Sequence, residues 1–513
     1  MKNRMTWLVL SCFVVTTLML ASHASAAPRG KCVYVSSSPN FYMTGLDWMT
    51  GTGHVAVSIK NLLSDALVAK ALDGKIIPAL AKSWELSPNG LSITFNLDKN
   101  AKFHNGATVT AEDIKFSLER MMRPELKQTF GKELRDAVKR LEVVDDHHLV
   151  VHFEKLYPAF FDRCAEYWGI GPKKYIEKIG DKALLDRPIG CGPFKLVKFN
   201  YNAWIEAEAV PDHYRKPPEI KNIRLAFVAE NATRMAMLKT GEADIITLSG
   251  TQLPEIKTDP KLRLVTSPYA YLDAFEFYDY HNKTPGPFDD IRVRQAADYA
   301  IDRKAICDKV LNGAAQPYRG ILAPYHAGFN PALEKPTKYN PEKAKKLLIE
   351  AGYPRGFTVD LYCNINRKAY TPAIAGYLLA VGIKTNMKVL EHGAFKDKRW
   401  GRTFNGCGVS TGAWWVGRTH PAVALQSFQN SENPWAYSAT PEITKLVVKC
   451  QQAVGEKAIA EAAGEIAELY DKQYSQLTLW TPSYPMGVGP KVEYVEGVAG
   501  WPFPSAFEFI RMK

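Results

Sequence analysis

Aromatic and cationic side chains are concentrated in one ten-residue segment, 412–421, with the sequence GAWWVGRTHP. Flat indole rings suit the apolar part of a small ligand, and a guanidinium fork suits a carboxylate or a phosphate. We therefore expect Arg418 to meet an anionic group of a ligand, with Trp414 or Trp415 packed against its apolar part. The alternative is that Arg418 is a solvated loop residue and that the two tryptophans belong to the core.

Histidine offers a second chemistry, because imidazole is a good ligand for nickel. His420 lies in the same segment but has no spaced partner, and His147-His148 follows Asp145-Asp146 in an expected surface turn. This is too little to predict a metal site, and we predict no cofactor. Four further aromatic residues are candidates for the walls of a binding cleft, although each could equally be a core residue: Tyr42, Trp48, Trp168 and Tyr271.

Two common signatures of catalysis are absent from the sequence, the zinc-protease pattern His-Glu-x-x-His and the phosphate loop that ends in Gly-Lys-Ser/Thr. The stretch 51–54, Gly-Thr-Gly-His, lacks the third glycine and the preceding strand of a dinucleotide site. Paired glycosidase carboxylates are a property of the folded state, so an exported hydrolase stays open as a distant alternative. We predict that the protein is not an enzyme.

Length and composition describe a large globular protein. The chain has 513 residues, of which 46% are hydrophobic and 23% charged, and this excludes a disordered chain, a collagen and a small disulfide scaffold. A single core stops growing near 250–300 residues, so two or more lobes are expected. The net charge of +12 is spread thinly, with no basic run longer than a pair. This argues against a nucleic-acid partner and weakly favours an anionic ligand.

The first 26 residues resemble a secretory signal peptide. Lys2 and Arg4 precede a mostly apolar stretch, 7–20, and Ala24-Ser25-Ala26 offers a cleavage site. The apolar run is shorter than the roughly 20 residues of a spanning helix, although an uncleaved anchor is the alternative. We predict a mature chain that begins near Ala27 and is exported.

Seven cysteines follow the predicted cleavage site. Export permits disulfides, but an odd number leaves at least one thiol free or paired between chains. No spacing is Cys-x-x-Cys, which excludes the usual zinc-ribbon and thioredoxin patterns. We expect buried free thiols, and the sequence does not determine which cysteines pair.

Helix and strand signals alternate along the chain, which is typical of an α/β protein. Period-two alternation predicts strands at 91–97 and 357–361. Start and stop residues predict several helices; these signals are Thr110 with Asp113, Asn231 with Gly241, Asn340-Pro341 with Gly352, and Thr440-Pro441 with a break near Gly455.

Between about residues 75 and 360 the sequence contains a series of distinctive motifs. They are PALAKSWE at 78–85, TFNL at 94–97, KFHNG at 102–106, VTAEDIKFSLER at 109–120, IGCGPF at 189–194, and the stretches 231–246, 291–303 and 339–354. In type and order these motifs resemble family 5 of the bacterial extracellular solute-binding proteins, the peptide- and nickel-binding components of ABC importers, with Cys191 in place of the family's Thr.

The resemblance implies two α/β lobes joined by two crossing segments, with the ligand enclosed between them. Lobe I would take residues 27–269 and 485–513, including a strand-rich subdomain at about 75–155. Lobe II would take residues 270–484. The implied function is capture of a solute by lobe closure and delivery to a membrane permease, carried out by a monomer.

One departure from the family concerns the segment 412–421. In peptide-binding relatives a similar loop holds an Asp that pairs with the α-ammonium group of the peptide. Here Gly417 stands at that position, Arg418 follows it, and His420 replaces the Asp before Pro421. The expected ligand is therefore a peptide or a peptide-like solute with an anionic group, and a nickel chelate or an opine-type solute is the alternative.

Overall fold

The computed structural model describes residues 29–36, 46–50, 54–71, 75–126, 128, 130–201, 203–267, 271–282, 284–414, 420–429, 436–437, 439–495 and 507–513. The predicted signal peptide, Tyr42, Gly51–Gly53, Trp415 and Arg418 lie outside these residues. Within the described part, no helix combines the length and apolar character needed to cross a membrane.

Twenty-one strands are present in the described residues: β1 (Arg29–Ser36), β2 (Val68–Lys70), β3 (Ile76–Pro78), β4 (Ala81–Leu86), β5 (Ser92–Leu97), β6 (Val138–Asp145), β7 (His148–Phe153), β8 (Phe194–Asn200), β9 (Trp204–Ala209), β10 (Ile220–Phe227), β11 (Ile245–Thr247), β12 (Arg263–Ser267), β13 (Tyr271–Phe277), β14 (Ala315–Pro317), β15 (Phe357–Asn364), β16 (Ile383–Leu390), β17 (Cys407–Trp414), β18 (Gln476–Pro482), β19 (Tyr484–Val488), β20 (Val492–Tyr494) and β21 (Arg511–Met512).

Seventeen α-helices lie between these strands in the same residues: α1 (His54–Leu63), α2 (Ala111–Met121), α3 (Gly131–Ala137), α4 (Phe160–Tyr167), α5 (Lys173–Leu184), α6 (Asn231–Thr240), α7 (Leu253–Thr258), α8 (Tyr278–Asn282), α9 (Ile291–Ala300), α10 (Arg303–Ala305), α11 (Pro331–Glu334), α12 (Pro341–Glu350), α13 (Thr371–Ala380), α14 (His392–Trp400), α15 (Pro421–Gln429), α16 (Pro441–Gln451) and α17 (Glu456–Gln473).

Two large mixed sheets organise the fold, which confirms the predicted α/β class. A seven-stranded sheet has the order β12-β19-β11-β1-β10-β9-β8, and a six-stranded sheet has the order β14-β18-β13-β17-β15-β16. A four-stranded antiparallel sheet, β4-β5-β7-β6, shares one hydrophobic core with the seven-stranded sheet. We call the part built on these two sheets lobe I and the part built on the six-stranded sheet lobe II.

The chain changes sheets twice. Strand β12 ends at Ser267 in the seven-stranded sheet, and β13 begins at Tyr271 in the six-stranded sheet. Strands β18 and β19 are separated by Ser483 alone, and they also belong to different sheets. The N–H and Oγ of Ser483 both donate to the carbonyl oxygen of Ala314, at 2.9 and 3.0 Å. The division into lobes at residues 269 and 484 stays a prediction.

Most local helix signals act as expected. Gly241 ends α6 with a φ of 75°, a left-handed conformation that favours glycine. The side chain of Asn340 accepts from the N–H of Lys343, and that of Thr440 accepts from the N–H of Ile443. Asn231 differs from the prediction, because it is the first residue of α6 and Glu230 occupies the cap position.

All seven described cysteines are buried and unpaired, as expected for free thiols: Cys32, Cys164, Cys191, Cys307, Cys363, Cys407 and Cys450. Burial disfavours the thiolate and raises the pKa of Cys191 and Cys307 to about 12. These thiols are therefore hydrophobic packing groups and poor nucleophiles.

Candidate functional site

Two of the predicted site residues lie beside the first crossing between the lobes. Tyr271, the first residue of β13, is the antiparallel partner of Trp414, the last residue of β17. The Tyr271 side chain is partly buried, and burial raises the pKa of its hydroxyl. The register therefore brings together two residues that are 143 positions apart in the sequence, at the start of the segment 415–419.

A buried carboxylate next to Tyr271 fixes this end of the sheet. Asp273 accepts hydrogen bonds from Arg367 at 2.6 and 3.0 Å, from the hydroxyl of Tyr370 at 2.6 Å, and from Nε1 of Trp480 at 3.0 Å. Its exposed fraction is only 2%. A buried carboxylate with this many donors is held rigidly, so the group fixes the start of β13.

The sequence did not predict this hydrogen-bonded group around Asp273. Arg367 and Asp273 are 94 residues apart, and no short motif joins them. The available signal was a pair of carboxylates, Asp273 and Glu276, in the otherwise apolar strand YLDAFEF. A charge in a fully buried strand requires a partner, although the strand itself does not say which one.

Trp48 and Trp168 lie in the core of lobe I, with 3% and 1% of their surface exposed. Trp168 packs against Phe160 with ring centroids 5.6 Å apart. Trp48 lies so close to Gly169 that a Cβ there would come within 2.6 Å of its ring. Neither indole N–H has a hydrogen-bond acceptor among the described residues. Their role in ligand binding stays a proposal.

Helix α4 presents a charged face next to these tryptophans. Asp162 and Glu166 are one turn apart, and Nζ of Lys70 contacts both carboxylates, at 3.2 and 2.5 Å. Nζ of Lys60 donates to the carbonyl oxygen of Ala165 at 2.6 Å. Burial lowers the pKa of Lys60 to about 8 and raises that of Glu166. Titratable groups are thus held in low dielectric at this face.

His420 approaches this face from lobe II. Its backbone N–H donates to Oδ2 of Asp162 at 3.3 Å, and its Nδ1 accepts from the N–H of Ala422 at 3.2 Å. Burial lowers the pKa of the imidazole to about 4, so at neutral pH the ring is uncharged and Nδ1 carries no proton. His420 therefore caps the start of α15.

The pair His147-His148 lies in lobe I, at the turn of the four-stranded sheet. His147 is in the turn between β6 and β7, as predicted, and Nδ1 of His148 lies 2.8 Å from the carboxylate of Asp145. Among the residues that the structure describes, no group of three histidine, cysteine or acidic side chains is placed to hold a metal ion.

A cavity of about 520 Å³ is lined by residues of both lobes. This volume is within the range of small-molecule sites, about 300–1,000 Å³. Its walls come from both lobes and combine polar and apolar residues in about equal parts. From lobe I they include Glu133, Asp136, Lys155 and Tyr157, and from lobe II Val423, Gln426, Val448, Gln451 and Gln452.

One short pattern in strand β17 resembles a catalytic motif. Residues 408–412 read Gly-Val-Ser-Thr-Gly, which matches the serine-hydrolase pattern Gly-x-Ser-x-Gly. In hydrolases this serine lies on a sharp turn between a strand and a helix. Here Ser410 lies inside β17, is 2% exposed and donates to the carboxylate of Glu276. The pattern therefore belongs to a buried strand.

Comparison with known proteins identifies the family. Heme-binding protein A of Haemophilus influenzae is 32% identical over 352 residues, which are 63% of this chain and 63% of that protein. The glutathione-binding protein GsiB of Pectobacterium atrosepticum is 28% identical over 452 residues, 85% of each. The solved structure of HbpA2 from Haemophilus parasuis superposes with a TM-score of 0.83 at 22% identity, covering 94% of this chain and 100% of that one.

The solved structures show the two-lobe fold of periplasmic binding proteins, which confirms the predicted architecture. The family model for the middle region of these proteins matches residues 75–435, more than half of the chain. The chain belongs to the bacterial extracellular solute-binding proteins, family 5.

Proposed function

We propose that this solute-binding protein captures a peptide or a peptide-like small solute with an anionic group and delivers it to the permease of an ABC importer. The observation that carries this proposal is the pairing of Tyr271 with Trp414 where the chain crosses between lobes. Trp414 directly precedes the segment that contains Arg418, so this pairing supports an aromatic contact with the ligand beside Arg418. The relative named for glutathione, an anionic peptide, supports the same ligand class.

The proposed ligand contacts are those predicted from the sequence: Trp414, Trp415, Arg418, His420, Tyr42, Trp48, Trp168 and Tyr271. Arg418 would pair with a carboxylate, because its guanidinium fork matches that group in two places. The orphan indole N–H groups of Trp48 and Trp168 would donate to ligand oxygens if a bound solute reached them.

The proposal also includes export of the protein, its oligomeric state and its lack of a cofactor. Residues 1–26 would be removed as a signal peptide, and the mature chain would act in the periplasm, as its relatives do. It would work as a monomer, without a cofactor, a bound metal or nucleic acid, and it would release its ligand chemically unchanged. Binding energy is then used to shift the lobe equilibrium toward closure.

Calorimetry with the mature protein tests the proposal. Reduced glutathione, an unmodified dipeptide and hemin would be titrated in turn, and a bound peptide-class solute would also raise the melting temperature. Arg418→Ala should weaken binding of the anionic solute about tenfold or more, the usual size of a lost hydrogen bond to a charged group. Arg292→Ala is the control, since Arg292 is exposed and pairs with Asp290.

Three results would contradict the proposal. Equal affinity in Arg418→Ala and in the parent would remove the predicted anionic contact. Uptake of nickel or a nickel chelate by dialysed protein, with no response to peptides, would favour the metal-chelate alternative. Turnover of a chromogenic ester or glycoside that is abolished by heat denaturation would favour a hydrolase.

A further inference from the structure

Helix α4 holds two carboxylates that share one cation. Asp162 and Glu166 are 1% and 4% exposed, and Lys70 contacts both. Lys60 and Arg163 also interact electrostatically with Glu166, so this face combines two buried carboxylates with several cations. Oε2 of Glu166 has no hydrogen-bond partner among the described residues. Burying an ionised carboxylate is unfavourable unless cations or hydrogen-bond donors compensate its charge.

The two oxygens of Asp162 face different lobes. Oδ1 lies 3.2 Å from Nζ of Lys70 in lobe I, and Oδ2 accepts the backbone N–H of His420 in lobe II at 3.3 Å. His420 begins the first turn of α15, because the N–H groups of Val423 and Ala424 donate to its carbonyl oxygen. The carboxylate therefore meets the positive end of a helix that belongs to the other lobe.

A second element of lobe II approaches the same charges. Tyr325, in the loop between β14 and α11, is packed with the lobe II core, and the charges of Asp162 and Glu166 add to burial in raising its pKa. Two separate segments of lobe II thus adjoin one acidic face of lobe I. The contact between His420 and Asp162 joins residues that are 258 positions apart.

We propose that Asp162 is a positioning residue for lobe association: it couples the charged face of α4 in lobe I to the first turn of α15 in lobe II. The inference rests on the proposed function only in that capture is taken to require association of the lobes. No ligand contact by Asp162 is part of it.

The test needs no ligand. Hydrogen exchange of the mature protein would be followed by mass spectrometry in peptides that cover residues 420–429, together with the radius of gyration from small-angle X-ray scattering. In Asp162→Ala, exchange at 420–429 should be about tenfold faster, because a hydrogen bond to a charged acceptor is lost, and the radius of gyration should increase. Asp162→Asn keeps the shape and an acceptor oxygen, so it should shift both quantities in the same direction by less.

Controls separate this role from general loosening. Asp308→Asn changes an exposed helical carboxylate that pairs with Lys304, and it should leave both quantities at the parent values. Peptides from α5 and α12 should exchange at the parent rate in every variant. The proposal is overturned if exchange at 420–429 and the radius of gyration are unchanged in both Asp162 variants, or if all helices lose protection equally. If Asp162→Ala does not fold, Asp162→Asn decides. Either result leaves the solute-binding proposal standing.

Discussion

Arg399 and Glu276 form a two-point ion pair at the centre of lobe II, with both guanidinium Nη atoms 2.7 Å from the two carboxylate oxygens. Neither side chain is exposed to solvent. Ser410 adds a hydrogen bond to the same carboxylate. Because no solvent reaches the pair, removal of one partner leaves a buried charge without its counter-charge.

Arg399→Met should therefore lower the free energy of unfolding by about 3–5 kcal/mol, measured by urea denaturation of the mature protein. The double variant Arg399→Met with Glu276→Leu should be more stable than the single variant, because no lone charge remains. Arg292→Met, at an exposed pair, should cost less than about 1 kcal/mol. A single variant as stable as this control would contradict the assignment.

Trp480 donates to Oδ2 of Asp273 beside the crossing between the lobes. Trp480→Phe keeps an aromatic ring but removes this donor, so it should cost about 1.5–3 kcal/mol, the usual range for hydrogen bonds to charged groups. Differential scanning calorimetry would measure the loss. Trp400→Phe is the matched control, because Trp400 is 52% exposed on α14. Equal melting temperatures for the two variants would refute the prediction.

His281 should make stability depend on pH. Burial lowers the pKa of its imidazole from 6.5 to about 4, and its Nε2 donates to the carbonyl oxygen of Ser475 at 2.6 Å. Unfolding then takes up a proton between about pH 6.5 and pH 4. The free energy of unfolding is highest above this window and decreases as the pH falls through it, by up to about 1.4 kcal/mol per pH unit for one proton.

His281→Gln keeps an N–H donor without a titrating ring, so its stability should fall less between pH 7 and pH 5 than that of the parent. Urea denaturation at half-unit steps of pH would show the difference. His392→Gln changes an exposed residue of α14 and should follow the parent curve. Parallel curves for the parent and His281→Gln would show that His281 is not the group responsible.

The buried thiols should be protected from alkylation. Burial raises the pKa of Cys450 to about 11 and raises the pKa of the other described cysteines as well. Only the thiolate reacts readily, so iodoacetamide at pH 8 should leave the native protein unmodified for the time in which the urea-unfolded protein reacts at all seven positions. Whole-protein mass spectra would count the adducts. Rapid native labelling, or fewer than seven adducts without a reductant, would contradict the structure.

Gly190 allows the loop before β8 to lie against the end of α1. A Cβ at this position would lie 1.9 Å from the carbonyl oxygen of Leu63. This oxygen belongs to the backbone, so it cannot rotate away as a flexible side chain can. Gly190→Ala should therefore destabilise the protein by at least about 1–3 kcal/mol, as overpacking does. Gly376→Ala, on the exposed face of α13, has open space and should raise stability by about 0.5–1 kcal/mol. Thermal unfolding of both variants distinguishes a steric requirement from a general effect of glycine replacement.

Local chemistry was enough to locate many elements from the sequence. Gly241 ends a helix because a left-handed residue favours glycine, and Thr440 starts one because its side chain satisfies a free N–H group. The alternation in Ser92–Leu97 predicts a strand with one buried face, and the structure has it. The order of many such motifs also indicated the family. These signals depend on neighbours within a few residues, so the sequence contains them in full.

The candidate site depended on contacts that the sequence does not encode locally. Asp162 meets His420 across 258 residues, and Asp273 meets Arg367 across 94, because the packing of helices and the register of strands bring them together. Burial is decided in the same way: Trp48 is an interior residue because a glycine at 169 lets the chain approach its ring. Spacing likewise cannot distinguish Ser410 in a buried strand from a serine on an exposed turn. Residue types and their order determined the family and the elements, whereas only tertiary packing decided which charges are paired and which side chains solvent reaches.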